Sequence, residues 1–237
     1  EVVSSQGKMV AKIDNLEVGS EQQMQQKTAA TFRASLINSN EPSPENRTQA
    51  LIVKYECIFA EEATSCISTQ PLQIPLWSDR APASRLRRHS PDDIEEMYKQ
   101  IQRMLKNKII EPSESSFAAN AHLVPKKNGQ KRMVVNFIPL NAITEKDKFP
   151  LPQINDLFQS LGRAKFFASL DCTEGFLQIP IQHEDRHKTA FITPHGLYQF
   201  CRCPFGFTNA PAKFQRTMNN IFEEGIYKRC VIYVDDV

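Results

Sequence analysis

Two adjacent carboxylates, Asp235 and Asp236, follow an apolar, β-branched and aromatic run from Cys230 to Val234. Such a run reads as a buried strand. Two carboxylates about 4 Å apart repel by roughly 4 kcal/mol at an effective dielectric of about 20, so an acid pair in a core calls for a proton or a cation. A divalent metal is the economical answer. Neighbouring residues of a strand face opposite sides, so the two acids share a site only where the strand ends and turns, which places them at a hairpin tip. A second apolar run, Lys165 to Asp171, also ends in an acid. If the two strands lie side by side, Asp171 faces Asp235. Three carboxylates with no Cys/His ligand set nearby are hard oxygen donors that suit Mg²⁺, with positions left open for phosphate. That chemistry is two-metal phosphoryl or nucleotidyl transfer. The plain alternative is that Asp-Asp merely makes a turn.

The elements that must position these acids are signalled locally. Pro152 to Leu161 reads as a helix closed by Gly162, leading into the Asp171 strand. Ser90 as N-cap, Pro91, Asp92 and Asp93 in the first turn, and the stripe Ile94, Met97, Ile101, Leu105 predict a helix whose stripe is core. Phe117 to Val135 reads as a hairpin turning at Lys126 to Gln130, where Asn128-Gly129 supplies the positive φ of a tight turn. Lys188 to Thr193 and Tyr198 to Cys203 predict a second hairpin across Pro194-His195-Gly196. Thr208 or Asn209 caps a helix carrying Phe214, Met218, Ile221 and Phe222 on one face and ended by Gly225. Strands and helices in this order predict an α+β fold, an antiparallel sheet covered by helices on one face.

Residues 1–45 are rich in Gln, Ser and Asn and read as a tail or linker. Residues 46–89 form a second stretch: Pro44 to Ala60 looks helical, and Cys66 to Trp77 is extended. Residues 90–237 hold everything above. The net charge of +2 excludes a global field that would draw the chain to nucleic acid, so any such attraction is local. The densest basic cluster is Arg80, Arg85, Arg87, Arg88 and His89, which either contacts phosphate or is a solvated approach to the helix. The six cysteines show no zinc or C-x-x-C spacing, which suits a reduced intracellular protein. No signal peptide opens the chain, no apolar run approaches the roughly 20 residues of a membrane span, and no membrane partner is expected.

Tyr233-Val234-Asp235-Asp236 resembles the Y-x-D-D box of reverse transcriptases. Leu151-Pro152-Gln153-Ile154-Asn155-Asp156-Leu157, Ser169-Leu170-Asp171, Gly175-Phe176-Leu177-Gln178-Ile179-Pro180, Lys188-Thr189-Ala190-Phe191 and Pro204 to Gln215 follow in the order and spacing of gypsy-class long-terminal-repeat retrotransposon polyproteins. Plant pararetroviruses are the close second. The likeness runs from about Ile94 to Val237. It implies an RNA-directed DNA polymerase, with residues 90–237 as right-hand fingers and partial palm.

The resemblance further implies catalytic metal ligands Asp171, Asp235 and Asp236, the last an outer one. Two Mg²⁺ ions, replaceable by Mn²⁺, would be the cofactors. Nucleotide contacts would come from Lys126 or Lys127, Arg132, Glu174, Gly175, Phe176, Phe205 and Gly206. Phe176 stands where the family places an aromatic that blocks a 2′-hydroxyl. Arg85, Arg87, Arg88 and Gln178 are candidates for nucleic-acid contact. The partners implied are a primed RNA or DNA template, dNTP, and the remaining palm, thumb and RNase H of a parent polyprotein. The location implied is the cytoplasm, virus-like particles included, with access to the nucleus. With thumb and RNase H outside it, the 237-residue chain is expected to be inactive or poor by itself. Two other readings stand beside this one. A non-catalytic or domesticated remnant would bind nucleic acid or a protein through the fingers; a metal phosphohydrolase would have no use for the Arg132 hairpin or Phe176.

Overall fold

The computed structural model describes residues 11–12, 50–55, 66–78, 80–126, 129–162 and 168–237. Residues 50–54 are helical, inside the range expected to be so. The rest of the tail, most of that helix and residues 163–167 of the Asp171 approach lie outside the described residues, apart from the two-residue strand β1, Ala11–Lys12.

Helix α1, Pro91–Lys106, begins where its caps predict, with the Ser90 hydroxyl accepting from the Asp93 amide at 3.2 Å. Met97 and Ile101 are fully buried beneath it. It stops because Lys108 turns left-handed at φ 53° and the Asn107, Lys108 and Ile109 amides fold back onto the last turn's carbonyls. That reversal sends buried Ile109 and Ile110 straight into β2, Ile110–Pro112.

β3, Ala119–Pro125, and β4, Lys131–Val135, form the expected hairpin, with Gly129 at φ +80° in the turn. α2, Ile138–Ile143, and α3, Ile154–Leu161, follow, then β5, Asp171–Cys172. β6, Phe191–Thr193, and β7, Gly196–Phe200, make the second hairpin, and α4 spans Ala210–Ile221.

Four departures from the expected elements have physical reasons. The sheet, ordered β2-β7-β6-β3-β4, contains one parallel pair, with Ala119 opposite Phe191 and Asn120 opposite Ile192. The two hairpins join through β3 and β6, and the segment between them returns β6 alongside β3 in the same direction. Lys188 and Thr189 belong to a 3₁₀ helix, His183–Thr189, and not to β6. Lys188 Nζ is held by Asp185 at 2.6 Å and by the Ile74 carbonyl at 2.7 Å, which keeps the turn wound. α4 ends at Phe222, before Gly225, whose carbonyl instead accepts from the Lys228, Arg229 and Cys230 amides. Cys230 to Val234 forms isolated bridges, not a strand, for a reason that belongs to the site.

One buried cluster runs through the molecule, from Ile109, Phe117 and Val135 around the first hairpin to Leu177, Phe214, Met218 and Ile232 beside α4. Phe191, fully buried, packs against two rings of the adjoining strand β7, Phe200 at 5.1 Å and Tyr198 at 6.1 Å.

Candidate active site

The three acids meet where β5 lies against the chain's last residues. Leu170 and Val237 exchange both backbone hydrogen bonds, at 2.8 and 2.9 Å, and the Cys172 amide donates to the Asp235 carbonyl at 3.0 Å. The residue in register with Asp171 is therefore Asp236, where Asp235 was expected. A tight turn causes the offset: Tyr233 and Asp236 bond each other's backbone at 2.9 and 3.0 Å, with Val234 at φ 52° between them. The acids do stand at a hairpin tip, as the pleat argument requires.

Positive φ is costly for a β-branched residue, so something must hold Val234 there. The Gln215 side chain of α4, fully buried, accepts from the Val234 amide at 2.8 Å and donates to the Ile232 carbonyl at 3.2 Å. Its amide takes the groups a neighbouring strand would otherwise pair, which is why Cys230 to Val234 is not a ladder.

Asp235 is the strained acid. Its Oδ1 is buried with no hydrogen-bond partner. Burial first, then repulsion from Asp171 and Asp236, lifts its carboxyl to about 6. Neighbouring Cys172 is buried too, and the same causes, burial first, push its thiol up to about 12. Among the described residues no three His, Cys, Asp or Glu side chains are drawn into a metal cage. The donor set nevertheless fits a hard cation: oxygen ligands only, one of them desolvated and unsatisfied, with like charges on either side.

Gly175 adds a cradle. A Cβ there would stand 3.1 Å from Asp235 Oδ1 and 2.9 Å from the Phe214 ring, so any larger residue would crowd the acid. Gly175 opens the 3₁₀ helix Gly175–Gln178, which follows Glu174 at φ 48°; Glu174 reaches Arg103 at 3.9 Å. Phe176 packs edge-on to Phe214 at 5.6 Å and tilted against Phe205 at 5.3 Å. Phe205 keeps 49% of its surface exposed in a turn whose Gly206 has φ +83°. Asn141 holds that turn, donating to the Gly206 carbonyl at 2.9 Å and accepting from the Thr208 amide at 2.9 Å.

The structure thus gathers Asp171, Asp235, Asp236, Gly175, Phe176, Phe205 and Gly206 around one end of α4. Lys126 and Arg132 stand exposed on the β3–β4 hairpin, and Lys127 lies outside the described residues. Arg132 is bracketed by a second unforeseen clamp: Gln100 of α1 donates to the Lys131 carbonyl at 2.8 Å and accepts from the Met133 amide at 2.8 Å. Lys131 also reaches Asp93 at 2.7 Å. Arg85, Arg87 and Arg88 are exposed in the irregular approach to α1. Gln178 is corrected: only 1% exposed, it donates to the Thr173 carbonyl at 2.8 Å inside the core, because the 3₁₀ turn points it inward.

The family described as reverse transcriptase (RNA-dependent DNA polymerase) matches residues 124–237, the stretch that carries the turn and second strand of the first hairpin, the three acids and the aromatic turn. Residues 124–237 belong to the reverse transcriptase family. The chain is 48% identical over 147 residues to the Pol polyprotein of the transposon opus from Drosophila melanogaster, a match covering 60% of this chain and 15% of that protein. The enzymatic polyprotein of cauliflower mosaic virus (strain Strasbourg) is 42% identical over 154 residues, covering 63% of this chain and 22% of its own length. The chain therefore spans less than a quarter of either polyprotein. Its fold matches the foamy viral protease–reverse transcriptase solved with an RNA/DNA hybrid, at TM-score 0.73 and 22% identity, over 94% of this chain and 30% of that one. Reverse transcriptases depend on divalent metal, in keeping with the unsatisfied Asp235 oxygen.

Proposed function

We propose that the chain is the fingers and partial palm of a retroelement RNA-directed DNA polymerase that adds dNTP to a primer 3′-hydroxyl on an RNA or DNA template. The observation that carries the reading is the meeting of Asp171, Asp235 and Asp236 beside side-chain-free Gly175, with a buried Asp235 oxygen left without a partner. The three carboxylates would hold two Mg²⁺ ions, or Mn²⁺ in their place, with Asp236 the weaker ligand. Bound there, the metals supply charge neutralisation of the reacting phosphate and acidify the primer hydroxyl.

The chain's own residues do the rest. Arg132 and Lys126 bring positive charge to the triphosphate from the hairpin, with Lys127 assigned the same role. Glu174 and Gly175 shape the loop against which the phosphates lie. Phe176, wedged between Phe205 and Phe214, closes the space a 2′-hydroxyl would need. The exposed Phe205 face and Gly206 form a platform for a base. Arg85, Arg87 and Arg88 are assigned to nucleic-acid backbone further out. The foamy viral enzyme solved with an RNA/DNA hybrid supports this choice of substrate. The free thiols Cys66, Cys172, Cys201, Cys203 and Cys230 support an intracellular setting.

Primer extension tests the reading: dTTP on poly(rA)/oligo(dT) in Mg²⁺, with the chain completed C-terminally by the corresponding segment of the opus polyprotein. Incorporation that Asp235→Asn abolishes is the expected result. A folded protein that incorporates nothing, or whose incorporation survives that substitution, would overturn it.

A further inference from the structure

Among the described strands, ordered β2-β7-β6-β3-β4, β4 is an outer one, so alternate amides and carbonyls along its far side have no strand beside them. Near the hairpin turn a side chain takes that place. Gln100 of α1 donates to the Lys131 carbonyl at 2.8 Å and accepts from the Met133 amide at 2.8 Å. Between those two groups stands Arg132, in register with Val124 of β3 on the other side. Its backbone is held from both edges, and its exposed side chain leaves the strand in a direction that Gln100 helps to set.

Gln100 is itself aimed. Its Nε2 also donates to Glu96 Oε1 at 2.6 Å, one turn back on the helix, so the nitrogen end of the amide is committed to Glu96 and Lys131 and Oε1 is left for Met133. An ion pair from Asp93 to Lys131 at 2.7 Å adds a second hold, but both partners are partly exposed and salt screens it. The neutral clamp is the one that persists at physiological ionic strength.

The same face of α1 reaches the other side of the site. Asp93, Glu96, Gln100 and Arg103 recur at helical spacing, and Arg103 lies 3.9 Å from Glu174, the residue before the turn Gly175–Gln178. Fully buried Met97 and Ile101 fix the helix between these contacts. α1 thus runs from the hairpin to the loop beside the acids and sets how far Arg132 stands from Gly175.

We propose that Gln100 is a positioning residue for nucleotide binding, fixing the strand pose from which Arg132 reaches a triphosphate lying at Glu174 and Gly175. It acts through Arg132 and touches no substrate. This inference rests on the polymerase reading and deepens it: triphosphate affinity becomes a property of α1, which lies ahead of residues 124–237.

Steady-state primer extension by the C-terminally completed chain separates the roles, varying dTTP at saturating primer–template and then the reverse. Gln100→Met keeps the side-chain volume and removes the hydrogen bonds. It is expected to raise KM for dTTP about tenfold, with kcat and the KM for primer–template within about twofold of wild type. Arg132→Gln is expected to raise KM for dTTP about a hundredfold, because a charge-assisted contact is lost. The double variant is expected to match Arg132→Gln, since with no guanidinium there is nothing for Gln100 to place. Glu96→Ala, a change that a helix surface tolerates, is expected to raise KM for dTTP about threefold and to add nothing to Arg132→Gln.

Effects of Gln100→Met and Arg132→Gln that multiply in the double variant would overturn the inference. So would a fall in kcat with KM for dTTP unchanged, an equal rise in the KM for primer–template, or a KM for dTTP that either single variant leaves at the wild-type value. If Gln100→Met does not fold, Glu96→Ala combined with Arg132→Gln decides: a multiplied KM overturns the inference and a matched one upholds it. The polymerase reading is judged apart, by incorporation that Asp235→Asn abolishes. No incorporation at all by the folded wild-type chain would overturn both.

Discussion

Asp235 combines two demands that pull apart. Its carboxyl holds its proton up to about pH 6, above the ordinary 3.8, with burial the largest cause. Between those values the folded chain binds more protons than the unfolded one, so stability falls as pH rises from about 4 to about 6 and stays low above that. Urea unfolding in EDTA across this range is expected to show that fall. Asp235→Asn is expected to remove it and, at pH 8, to raise stability by about 1 kcal/mol after allowing for solvent access. A variant gaining stability while losing incorporation is the signature of a charge kept for chemistry. Gly175→Ala is expected to do the reverse of nothing useful: its Cβ meets Phe214 and Asp235, at about 1–3 kcal/mol in unfolding free energy and with lost incorporation. Phe176→Val is expected to raise ribonucleotide relative to deoxyribonucleotide use by about tenfold, read from competing primer extension.

At the scale of elements, two glutamines do what the local pattern does not announce. Gln215→Ala leaves the Val234 amide and the Ile232 carbonyl without partners, an expected loss of about 2–3 kcal/mol in urea unfolding and a much larger drop in incorporation than in oligonucleotide affinity. Gln100→Ala is expected to speed hydrogen exchange at the Met133 amide, because that donor loses its acceptor on α1.

These clamps also mark where reading a sequence stops. The Ser90 cap, the Asn128-Gly129 turn and the Met97–Ile101 stripe are local signals, and they predicted α1 and the first hairpin. That Gln215 would replace a strand partner for residues 232–234, or that β3 would run parallel to β6, depends on residues many positions apart. No window of neighbouring residues contains that information. Asp171, Asp235 and Asp236 were legible as a set because acids ending apolar runs are conspicuous. Their register was not, since it hangs on Val234 turning left-handed.

Across the whole molecule, the buried cluster passes without a break from the first hairpin to α4. Residues assigned to fingers and to palm are therefore expected to unfold together. Phe191→Ala, at the middle of that cluster, is expected to lower stability by about 3–5 kcal/mol, with tryptophan emission and far-UV circular dichroism shifting by the same amount. Two separated transitions would show that the parts hold themselves up independently.

Cys172 lies next to Asp171 in sequence, buried, with its thiol pushed up to about 12. A sulfur beside reactive carboxylates would ordinarily be a point of attack, yet only the thiolate reacts, and here burial first and the neighbouring acids second suppress it. Among the described residues, peroxide or an alkylating reagent will take exposed Cys66 before Cys172 and leave Cys172 intact while the fold lasts. The burial that leaves Asp235 hungry for a cation, with the acids' charge added to it, also shields the site's sulfur from oxidants, and loss of that shielding is a chemical clock for unfolding.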